Sequence, residues 1–464
     1  MRPRRPALLL AALLLALAAC TDGGGNRPAP QPAAADPGRP LVVASGRDVT
    51  GKGGIREKLI DAWNAQPGNP HKARLVELPA SADQQRSQLL GALQSGGAHY
   101  DVVNLDITWT AEFAEAGLVQ PLDAGLVDAD VIDSVARTAR WKDKVYSVPF
   151  NTDVGLLYYR RDHLERAGVQ DTELDARTTW ADVHELIRTV ERTAPPGYEA
   201  GWTSQLAPYE GLTVNGVEAF VSATGRALTD ERGRYTASAA DLENGLEELR
   251  ARTDRSYLLT GATASDEDTS LADFTDGRTT FLRHWPYAYR TLHQSLAPGR
   301  LGVAPLPGTA VLGGQNLAVT ASATGERAAA ARDLIAFLTD RRSERCLLDA
   351  GYAATRTSAY TDDTVSCRLA GVPAPTATGP GSAGPAESTD RMPREAGRPL
   401  YARATLLPAL RDDVVERPRT PHYGAFTQTF TTHLGRLFGD DPPSDEELAA
   451  DLHEALGQAL PHPP

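Results

Sequence analysis

Residues 100–117, YDVVNLDITWTAEFAEAG, contain the pattern from which the fold class is predicted. Tyr100 to Leu105 is an apolar run of strand length, and Phe113 and Ala116 then recur at helical spacing until Gly117 ends the segment. Polar and aromatic residues stand at the turn between the two. A strand followed at once by a helix is the repeating unit of an α/β fold.

The same alternation continues on the N-terminal side of this segment. Leu41–Ala44 and Lys72–Leu78 are strand candidates, a helical period runs from Ile55 to Trp63, and a second helix is predicted over Gln84–Ser95. Strands that alternate with helices predict an α/β fold with a largely parallel sheet. Ligands of such sheets bind beyond the carboxyl ends of the strands, where loops supply polar groups.

On the C-terminal side, the pattern predicts further helices and one loop. Helices are predicted after the capping-box pair Thr179 and Asp182, and over Arg327–Leu338, Ala402–Leu410 and Phe426–Phe438. Residues 370–399 are rich in Pro, Gly, Ala, Ser and Thr and have no period, which predicts a mobile surface loop.

The first residues predict an exported and lipid-anchored chain. Arg2, Arg4 and Arg5 precede an apolar stretch from Ala7 to Ala19, which is shorter than the roughly 20 residues of a membrane span and is typical of a signal peptide. The alternative is a buried apolar helix that happens to end near a cysteine.

Leu17-Ala18-Ala19-Cys20 resembles a bacterial lipobox, so residues 1–19 are predicted to be removed. Cys20 would then carry the lipid that holds the protein on the extracytoplasmic face of the cell membrane. Residues 20–40 contain almost no large apolar side chain, and we interpret them as a flexible tether.

The length and the charge of the remaining chain limit the possible functions. About 420 residues exceed one ordinary core and favour two lobes. The 464-residue sequence has 47 basic and 60 acidic residues, a net charge of −13. An acidic surface favours solubility and argues against nucleic acid or an anionic membrane surface as a partner.

The common catalytic, cofactor and metal motifs are absent from the sequence. The sequence has no P-loop, no G-x-S-x-G, no H-E-x-x-H and no C-x-x-C, and its ten histidines show no ligand spacing. We therefore expect neither a cofactor nor a metal. Besides Cys20 there are only Cys346 and Cys367, which are predicted to form a disulfide outside the cell; the alternative is two buried thiols.

Aromatic and polar residues occur together in three predicted turns, at 104–109, 209–211 and 285–289. Sugar recognition needs both kinds of residue, because pyranose rings have apolar C–H faces while their hydroxyls need fixed donors and acceptors. The alternative is that Trp109 and Trp285 are core aromatics whose indole N–H groups bond to carbonyls.

An ordered series of motifs resembles the family 1 extracellular solute-binding proteins of ABC sugar importers. The motifs are Asp101–Asp123, Val145–Asp153 with Gly155–Arg160, Arg278 with Trp285–Tyr289 (WPYAY), Gly313–Ala318, Thr355–Thr357 and Arg417–Pro421. Apart from the predicted loop, the resemblance runs from Leu41 to Phe438. Within the family it is similar to trehalose- and maltose-binding lipoproteins.

This resemblance implies a two-lobed, periplasmic-binding-protein-like α/β fold with a hinge and a ligand cleft between the lobes. The N-terminal lobe would comprise residues 41–149 and 300–340, and the C-terminal lobe residues 150–299 and 341–464. The chain would cross between the lobes near residues 149–150, 300–301 and 340–341.

The resemblance also implies a set of substrate-binding residues: Asn104, Asp106, Trp109, Asn151, Asp153, Glu210, Trp285, Tyr287, Gly314, Gln315, Arg356 and Arg417. Trp285 and Tyr287 would stack on the sugar, and Asp106 would hold hydroxyls. Asn151 and Asp153 could instead brace the crossover between lobes. For Arg417, the alternative is a salt bridge on the acidic surface.

The function implied is capture of a small sugar, of trehalose- or maltose-like disaccharide type, by hinge closure and its delivery to the permease subunits of an ABC importer. The protein would act as a monomer and not as an enzyme. Two alternatives stay open: a binding protein of the same fold for an amino sugar, a polyol or a peptide, and a secreted glycoside-processing enzyme.

Overall fold

The computed structural model describes residues 39–48, 54–96, 99–369, 390–412 and 414–462. The predicted signal peptide, Cys20, nearly all of the predicted tether and residues 370–389 of the predicted loop lie outside these ranges. None of the helices within the described ranges combines the length and the apolar character that crossing a bilayer requires.

Strands and helices alternate along the described chain, as the sequence predicts. The strands are β1 (Leu41–Ser45), β2 (Ala73–Glu77), β3 (Val102–Asp106), β4 (Arg140–Trp141), β5 (Lys144–Val145), β6 (Val148–Val154), β7 (Leu156–Arg160), β8 (Ala200–Thr203), β9 (Thr279–His284), β10 (Leu301–Pro305), β11 (Ala310–Val319), β12 (Arg394–Glu395), β13 (Arg398–Pro399) and β14 (Val414–Val415). The helices are α1 (Ile55–Asn64), α2 (Ala82–Ser95), α3 (Thr110–Glu115), α4 (Asp133–Thr138), α5 (Arg161–Arg166), α6 (Trp180–Glu191), α7 (Glu210–Thr224), α8 (Ala239–Arg252), α9 (Glu267–Thr275), α10 (Ala288–Ser295), α11 (Gly325–Leu338), α12 (Arg341–Ala350), α13 (Thr357–Thr361), α14 (Leu406–Arg411), α15 (Tyr423–Leu434) and α16 (Asp445–Ala459).

The first sheet contains the strands that the N-terminal alternation predicts. β1 lies between β2 and β3 and is parallel to both. β11 pairs with β3 in the antiparallel direction, and β6 and β14 pair with β11. β1 is buried along its whole length, which explains why its sequence is a continuous apolar run and not an alternating one.

The second sheet has the order β10-β7-β9-β8. β7 is antiparallel to β10 and β9, and only β8 and β9 are parallel. The prediction of a largely parallel sheet therefore holds for β1, β2 and β3 but not for the second sheet, and both sheets are mixed. The reason is that β6 leads through a short link into β7 of the second sheet, and β10 leads back through another into β11 of the first. The returning strands β10 and β11 therefore pair with β7 and β6 in the antiparallel direction.

These two short links join the sheets. Gly155 alone separates β6 from β7, and residues 306–309 connect β10 to β11. A Cβ at Gly155 would contact the Glu218 carboxylate and lie 2.9 Å from Nη2 of Arg283, so only glycine fits at this link. The lobe boundaries given above stay a prediction.

Helices cover the sheets and form the rest of the core. α7 packs against α8, α15 and β11, and its residues are buried from Glu210 to Val221. The capping box at the start of α6 is confirmed, since the Thr179 hydroxyl accepts from the Asp182 N–H and the Asp182 carboxylate accepts from the Thr179 N–H.

Three segments differ from the predictions. The turn predicted at residues 209–211 is the start of α7, which shows no amphipathic period because it is buried on nearly every face. The non-helical stretch predicted at residues 285–289 ends early, since α10 begins at Ala288. Within the predicted loop, β12 and β13 form a short hairpin that the Pro- and Gly-rich composition conceals.

Cys346 and Cys367 form the predicted disulfide, which joins α12 to the segment after α13 across 21 positions of sequence. Cys346 is buried in the core, whereas Cys367 is only partly covered.

We predict that replacing both cysteines by alanine lowers the free energy of unfolding by about 3 kcal/mol, because the crosslink restricts the unfolded chain. Urea unfolding of the double variant and of the wild-type protein measures the difference. Reduced wild-type protein serves as the control and should match the variant. Equal midpoints for oxidised and reduced wild-type protein would contradict the prediction.

Candidate functional site

A cavity of about 580 Å³ lies between the two sheets. It is lined by the end of β3 and by residues within β6 and β11 on one side, and by the segment after β9 and the start of α7 on the other. Its volume falls within the range of about 300–1,000 Å³ that is usual for small-molecule sites. It contains ten of the twelve residues that the resemblance implies: Asp106, Trp109, Asn151, Asp153, Glu210, Trp285, Tyr287, Gly314, Gln315 and Arg417.

The other two residues do not line the cavity. Asn104 is fully buried behind the wall, where its Nδ2 donates to Ser45 Oγ at 2.9 Å and to Gln315 Oε1 at 2.7 Å. Arg356 donates to the Thr339 carbonyl and to Asp128 Oδ1, two residues that do not line the cavity either. The packing that holds Arg356 is non-local and leaves no signal in the sequence.

Asp106, the last residue of β3, is held by its own turn. Its Oδ1 accepts from the Thr108 N–H at 2.9 Å and from the Thr108 hydroxyl at 2.7 Å, at the start of a short 3-10 helix. This local contact directs the carboxylate beyond the carboxyl end of the strand, where α/β sheets bind their ligands. The D-x-T spacing is visible in the sequence.

Arg417 connects this carboxylate to α7. Its Nη2 lies 3.0 and 3.1 Å from the two oxygens of Asp106, and its Nη1 lies 2.5 Å from Glu210 Oε1. Glu210 also accepts hydrogen bonds from Tyr423 and Thr427. The Arg417 side chain is only 3% exposed, so its salt bridges lie in the cavity wall and not on the acidic surface.

Burial raises the pKa of Glu210, and the charge of Arg417 acts against this rise. Two carboxylates share one guanidinium here, so the group of three keeps an excess of negative charge. We infer that this part of the wall favours a ligand that donates hydrogen bonds.

Asp153 presents the other acceptor. Its Oδ1 is inaccessible to solvent and has no hydrogen-bond partner among the described residues, and its Oδ2 lies 3.5 Å from Asn151 Nδ2. Burial raises its pKa to about 7, although Arg56 lowers it. A buried acceptor that lacks a donor is costly, and a donor from a ligand would relieve that cost.

Trp285 supplies the aromatic wall from the second sheet. One face of its ring lies on the Arg283 guanidinium, with 3.9 Å between Arg283 Cζ and the ring centroid. Its indole Nε1 lies 3.4 Å from Glu267 Oε1, and Glu267 Oε2 accepts from the Tyr209 hydroxyl at 2.7 Å. The ring is therefore held on one face by Arg283 and at its edge by Glu267.

Gly313 allows this ring to come close to the first sheet. A Cβ at this position would lie 3.1 Å from Trp285 Cζ3 and 3.1 Å from Asp153 Cβ. Any larger residue would push the tryptophan away from β11. Trp109, by contrast, is 4% exposed and stacks on Phe113, so most of its surface belongs to the core even though one edge reaches the cavity.

The sequence interpretation missed several residues that line the cavity: Arg47, Arg56, Glu267, Asp268 and Tyr352. Arg47 and Asp268 form an exposed ion pair of 2.9 Å between the segment after β1 and α9. The sequence gives only a weak indication that Arg47 and Arg56 lie at the site. Both residues follow the carboxyl end of β1, and α/β sheets bind their ligands beyond such strand ends. Among the described residues, no cluster of three His, Cys, Asp or Glu is arranged to hold a metal.

A family model described as "Bacterial extracellular solute-binding protein" matches residues 58–370. Over 348 residues the chain is 28% identical to a Deinococcus radiodurans protein named "Probable ABC transporter-binding protein", covering 72% of this chain and 80% of that protein. It is 23% identical over 202 residues to the "Mannitol-binding protein" of Pseudomonas aeruginosa, covering 42% of this chain and 44% of that protein.

Solved structures show the same architecture. Maltose-bound MalE3 of T. maritima has a TM-score of 0.73 at 22% identity, covering 90% of this chain and 99% of that one. The GacH receptor of Streptomyces glaucescens has a TM-score of 0.69 at 19% identity, covering 91% and 99%. These similarities confirm the predicted two-lobed, periplasmic-binding-protein-like α/β fold.

The buried carboxyl group of Asp153 predicts a specific pH dependence of stability. Its folded-state pKa of about 7 lies above the ordinary value of 3.8, so the folded protein holds this proton more tightly than the unfolded chain and loses stability as the pH rises from 4 to 7. We predict that Asp153→Asn removes this contribution, which is at most about 4 kcal/mol at ~1.36 kcal/mol per pKa unit.

Urea unfolding between pH 4 and pH 8 tests this, with Asp276→Asn, an exposed position outside the cavity, as the control. The wild-type and control proteins should lose stability towards pH 7, and the Asp153 variant should lose less. Parallel curves for all three proteins would show that Asp153 is not protonated more strongly in the folded state.

Proposed function

The chain belongs to the bacterial extracellular solute-binding protein family, and we propose that it captures a small sugar outside the cell and delivers it to an ABC importer. The membership confirms the prediction of a solute-binding protein and not an enzyme. The name of one relative, an ABC transporter-binding protein, supports delivery to an importer. The name of another, a mannitol-binding protein, supports a ligand of the sugar or polyol type.

The observation that carries the sugar proposal is the mixture of groups in one cavity. The partly exposed ring of Trp285 offers an apolar face, while Asp106 and Asp153 offer carboxylate acceptors and Gln315 offers an amide. These groups come from both sheets. A pyranose needs this combination, because its C–H faces pack on aromatic rings and each hydroxyl both donates and accepts.

The charge of the cavity favours a neutral ligand that is rich in donors. Six carboxyl groups line it against three arginines, namely Asp106, Asp153, Glu210, Asp266, Glu267 and Asp268 against Arg47, Arg56 and Arg417. A phosphorylated or carboxylated solute would meet an excess of negative charge. A sugar meets acceptors for its hydroxyl protons.

The size of the cavity supports a ligand larger than a single ring. Its volume of about 580 Å³ is in the middle of the usual range for ligand sites. We propose a disaccharide of the trehalose or maltose type, and the likeness in fold to the maltose-bound protein is consistent with this. A polyol such as mannitol is the second candidate, because of the similarity to the mannitol-binding protein.

We propose that capture proceeds by hinge closure about the links at Gly155 and residues 306–309. Trp285 approaches from the second sheet, while Asp106 and Gln315 remain on the first. The sugar would favour the closed form because it contacts both walls only when the cleft is shut. The exposed pair Arg47–Asp268 adds little to closure, since such ion pairs contribute about 0–1 kcal/mol.

We also propose the membrane anchor that the N-terminal sequence predicts. Lipid on Cys20 would hold the protein near the permease subunits, and residues 20–40 would act as a flexible tether that lets the folded part reach them. In this arrangement the protein acts as a monomer.

The sugar proposal predicts that trehalose or maltose raises the melting temperature, because a ligand stabilises the folded state in proportion to its occupancy. A thermal-shift panel of mono- and disaccharides and polyols on the protein without residues 1–40 is the measurement. A shift with mannitol and none with any disaccharide would support the polyol; no shift with any member would contradict the proposal.

With the sugar found in this way, Trp285→Ala should weaken binding by about 2 kcal/mol or more, as for a buried aromatic anchor. Titration calorimetry measures the change. Trp180→Ala is the matched control, because Trp180 packs on Trp202 and does not line the cavity. Equal affinities of the Trp285 variant and the control would remove Trp285 from the site.

The anchor proposal predicts that Cys20→Ala moves the protein from the membrane fraction to the soluble fraction of cells that express the full chain. Mass spectrometry of the wild-type protein should find diacylglycerol on Cys20. An unmodified Cys20 in membrane-bound protein would contradict the proposal.

A further inference from the structure

Arg56 is a buried cation next to the cavity for which the described residues provide no ion pair. It is the second residue of α1, and it is 4% exposed. Its guanidinium lies near the rings of Tyr352 and Phe150, at 5.2 and 5.9 Å from Cζ to the centroids. No described carboxylate oxygen lies within the 4.0 Å of a salt bridge. A charge buried in this way is costly, so its contacts need an explanation.

The hydrogen bonds of the guanidinium go to neutral oxygens, whereas the backbone N–H of Arg56 donates to Asp48 Oδ2 at 2.8 Å. Nη1 donates to the Gly46 carbonyl at 2.9 Å and to Ser45 Oγ at 3.1 Å. Nη2 donates to Asn151 Oδ1 at 3.0 Å and to Gln315 Oε1 at 2.8 Å. One nitrogen therefore holds two amide side chains that stand on neighbouring strands, β6 and β11, and that both line the cavity.

These bonds determine which way the two amides face. A guanidinium has only donors, so each amide must turn its oxygen towards Arg56 and its NH₂ group away. Gln315 Oε1 is fixed a second time by Asn104 Nδ2 at 2.7 Å. Asn151 Nδ2 then lies 3.5 Å from Asp153 Oδ2, and within the described chain Gln315 Nε2 makes no hydrogen bond.

The cavity wall consequently presents N–H donors next to a carboxyl acceptor. Asp153 Oδ1 lacks a donor among the described residues. A hydroxyl group matches both, since its oxygen accepts from the amides while its proton goes to the carboxylate. An ether or fluorine substituent would accept only and leave the carboxylate unpaired.

We propose that Arg56 is a positioning residue that orients the amides of Asn151 and Gln315 so that, together with Asp153, they select a hydroxyl group of the ligand. This inference rests on the proposed function, because it names the chemical group of the ligand that the same site recognises. In this proposal Arg56 acts on the ligand through the two amides.

The first test needs no ligand. In ¹⁵N-labelled protein, the side-chain NH₂ signals of Asn151 and Gln315 are assigned by their loss in Asn151→Asp and Gln315→Glu. Arg56→Met should shift and broaden both signals, because the amides then rotate. Arg160→Met is the matched control: Arg160 is also buried but does not line the cavity, so both signals should stay unchanged. Unchanged signals in Arg56→Met would overturn the proposal.

The second test uses maltose and trehalose, each with its series of monodeoxy analogues, in titration calorimetry. For the wild-type protein, one analogue should bind at least tenfold more weakly than the parent sugar, and in Arg56→Met this loss should fall below threefold. Arg56→Lys, which can reach only one amide oxygen, should lie between. An equal loss of affinity for all analogues in Arg56→Met would indicate a merely structural role and overturn the proposal.

Failure of this inference and failure of the sugar proposal give different results. If neither disaccharide binds the wild-type protein, the disaccharide proposal fails, and the NH₂ signals still decide the role of Arg56. If the sugars bind but the signals and the analogue series do not respond to Arg56→Met, the sugar proposal stands and the inference fails. Melting curves of the methionine and lysine variants show that each is folded before either test.

Discussion

The buried ion pair between Arg283 and Glu218 is the contact on which the geometry of the cavity depends. Its Nη2–Oε1 distance is 2.6 Å, and the two side chains are 1% and 2% exposed. Glu218 Oε1 also accepts from the Val311 N–H, so the pair fixes β9 and α7 to β11 of the other sheet. Because Arg283 also lies beneath Trp285, the aromatic wall is set by the same contact. Removing one partner of such a pair typically costs about 3–5 kcal/mol, whereas removing both does not.

The Glu218 carboxylate and the Asp153 carboxyl group differ in how their buried oxygens are paired. Glu218 accepts from Arg283, whereas Asp153 Oδ1 in the cavity wall has no hydrogen-bond partner among the described residues. Two arginines orient polar side chains of the cavity wall. Arg417 fixes two carboxylates and Arg56 fixes two amides, so the groups that a ligand meets are oriented before it arrives. Such pre-organisation reduces the entropy that binding loses to side-chain ordering.

Local signals in the sequence predicted most of the fold. The capping box of α6 and the apolar runs of β1 and β3 depend on neighbours within a few residues, and the structure contains them as expected. The antiparallel pairings of β7 and β11 were missed, because they depend on how the chain returns from the second sheet to the first through β10 and β11. α7 was missed in part, because burial on nearly all faces removes the period that identifies a helix.

The candidate site was predictable only as far as motifs mark it. The ordered motifs located ten of the residues that line the cavity, but they gave no indication that Arg356 is held elsewhere by Asp128. Arg56 carries no motif, and its partner Gln315 lies 259 positions away. Pairings of this kind are decided by tertiary packing, so composition and periodicity do not reveal them.

The bond between Arg417 and Asp106 spans 311 positions of sequence and has a consequence for biogenesis. A chain that crosses the membrane from its N-terminus presents Asp106 long before Arg417 emerges. During this interval Asp106 lacks the cation that later neutralises its carboxylate, and β11, which pairs with β3 and supplies Gln315, also emerges late. The recognition surface is therefore absent from every nascent intermediate that lacks the segment around Arg417, and export must be nearly complete before the protein can compete for its cargo.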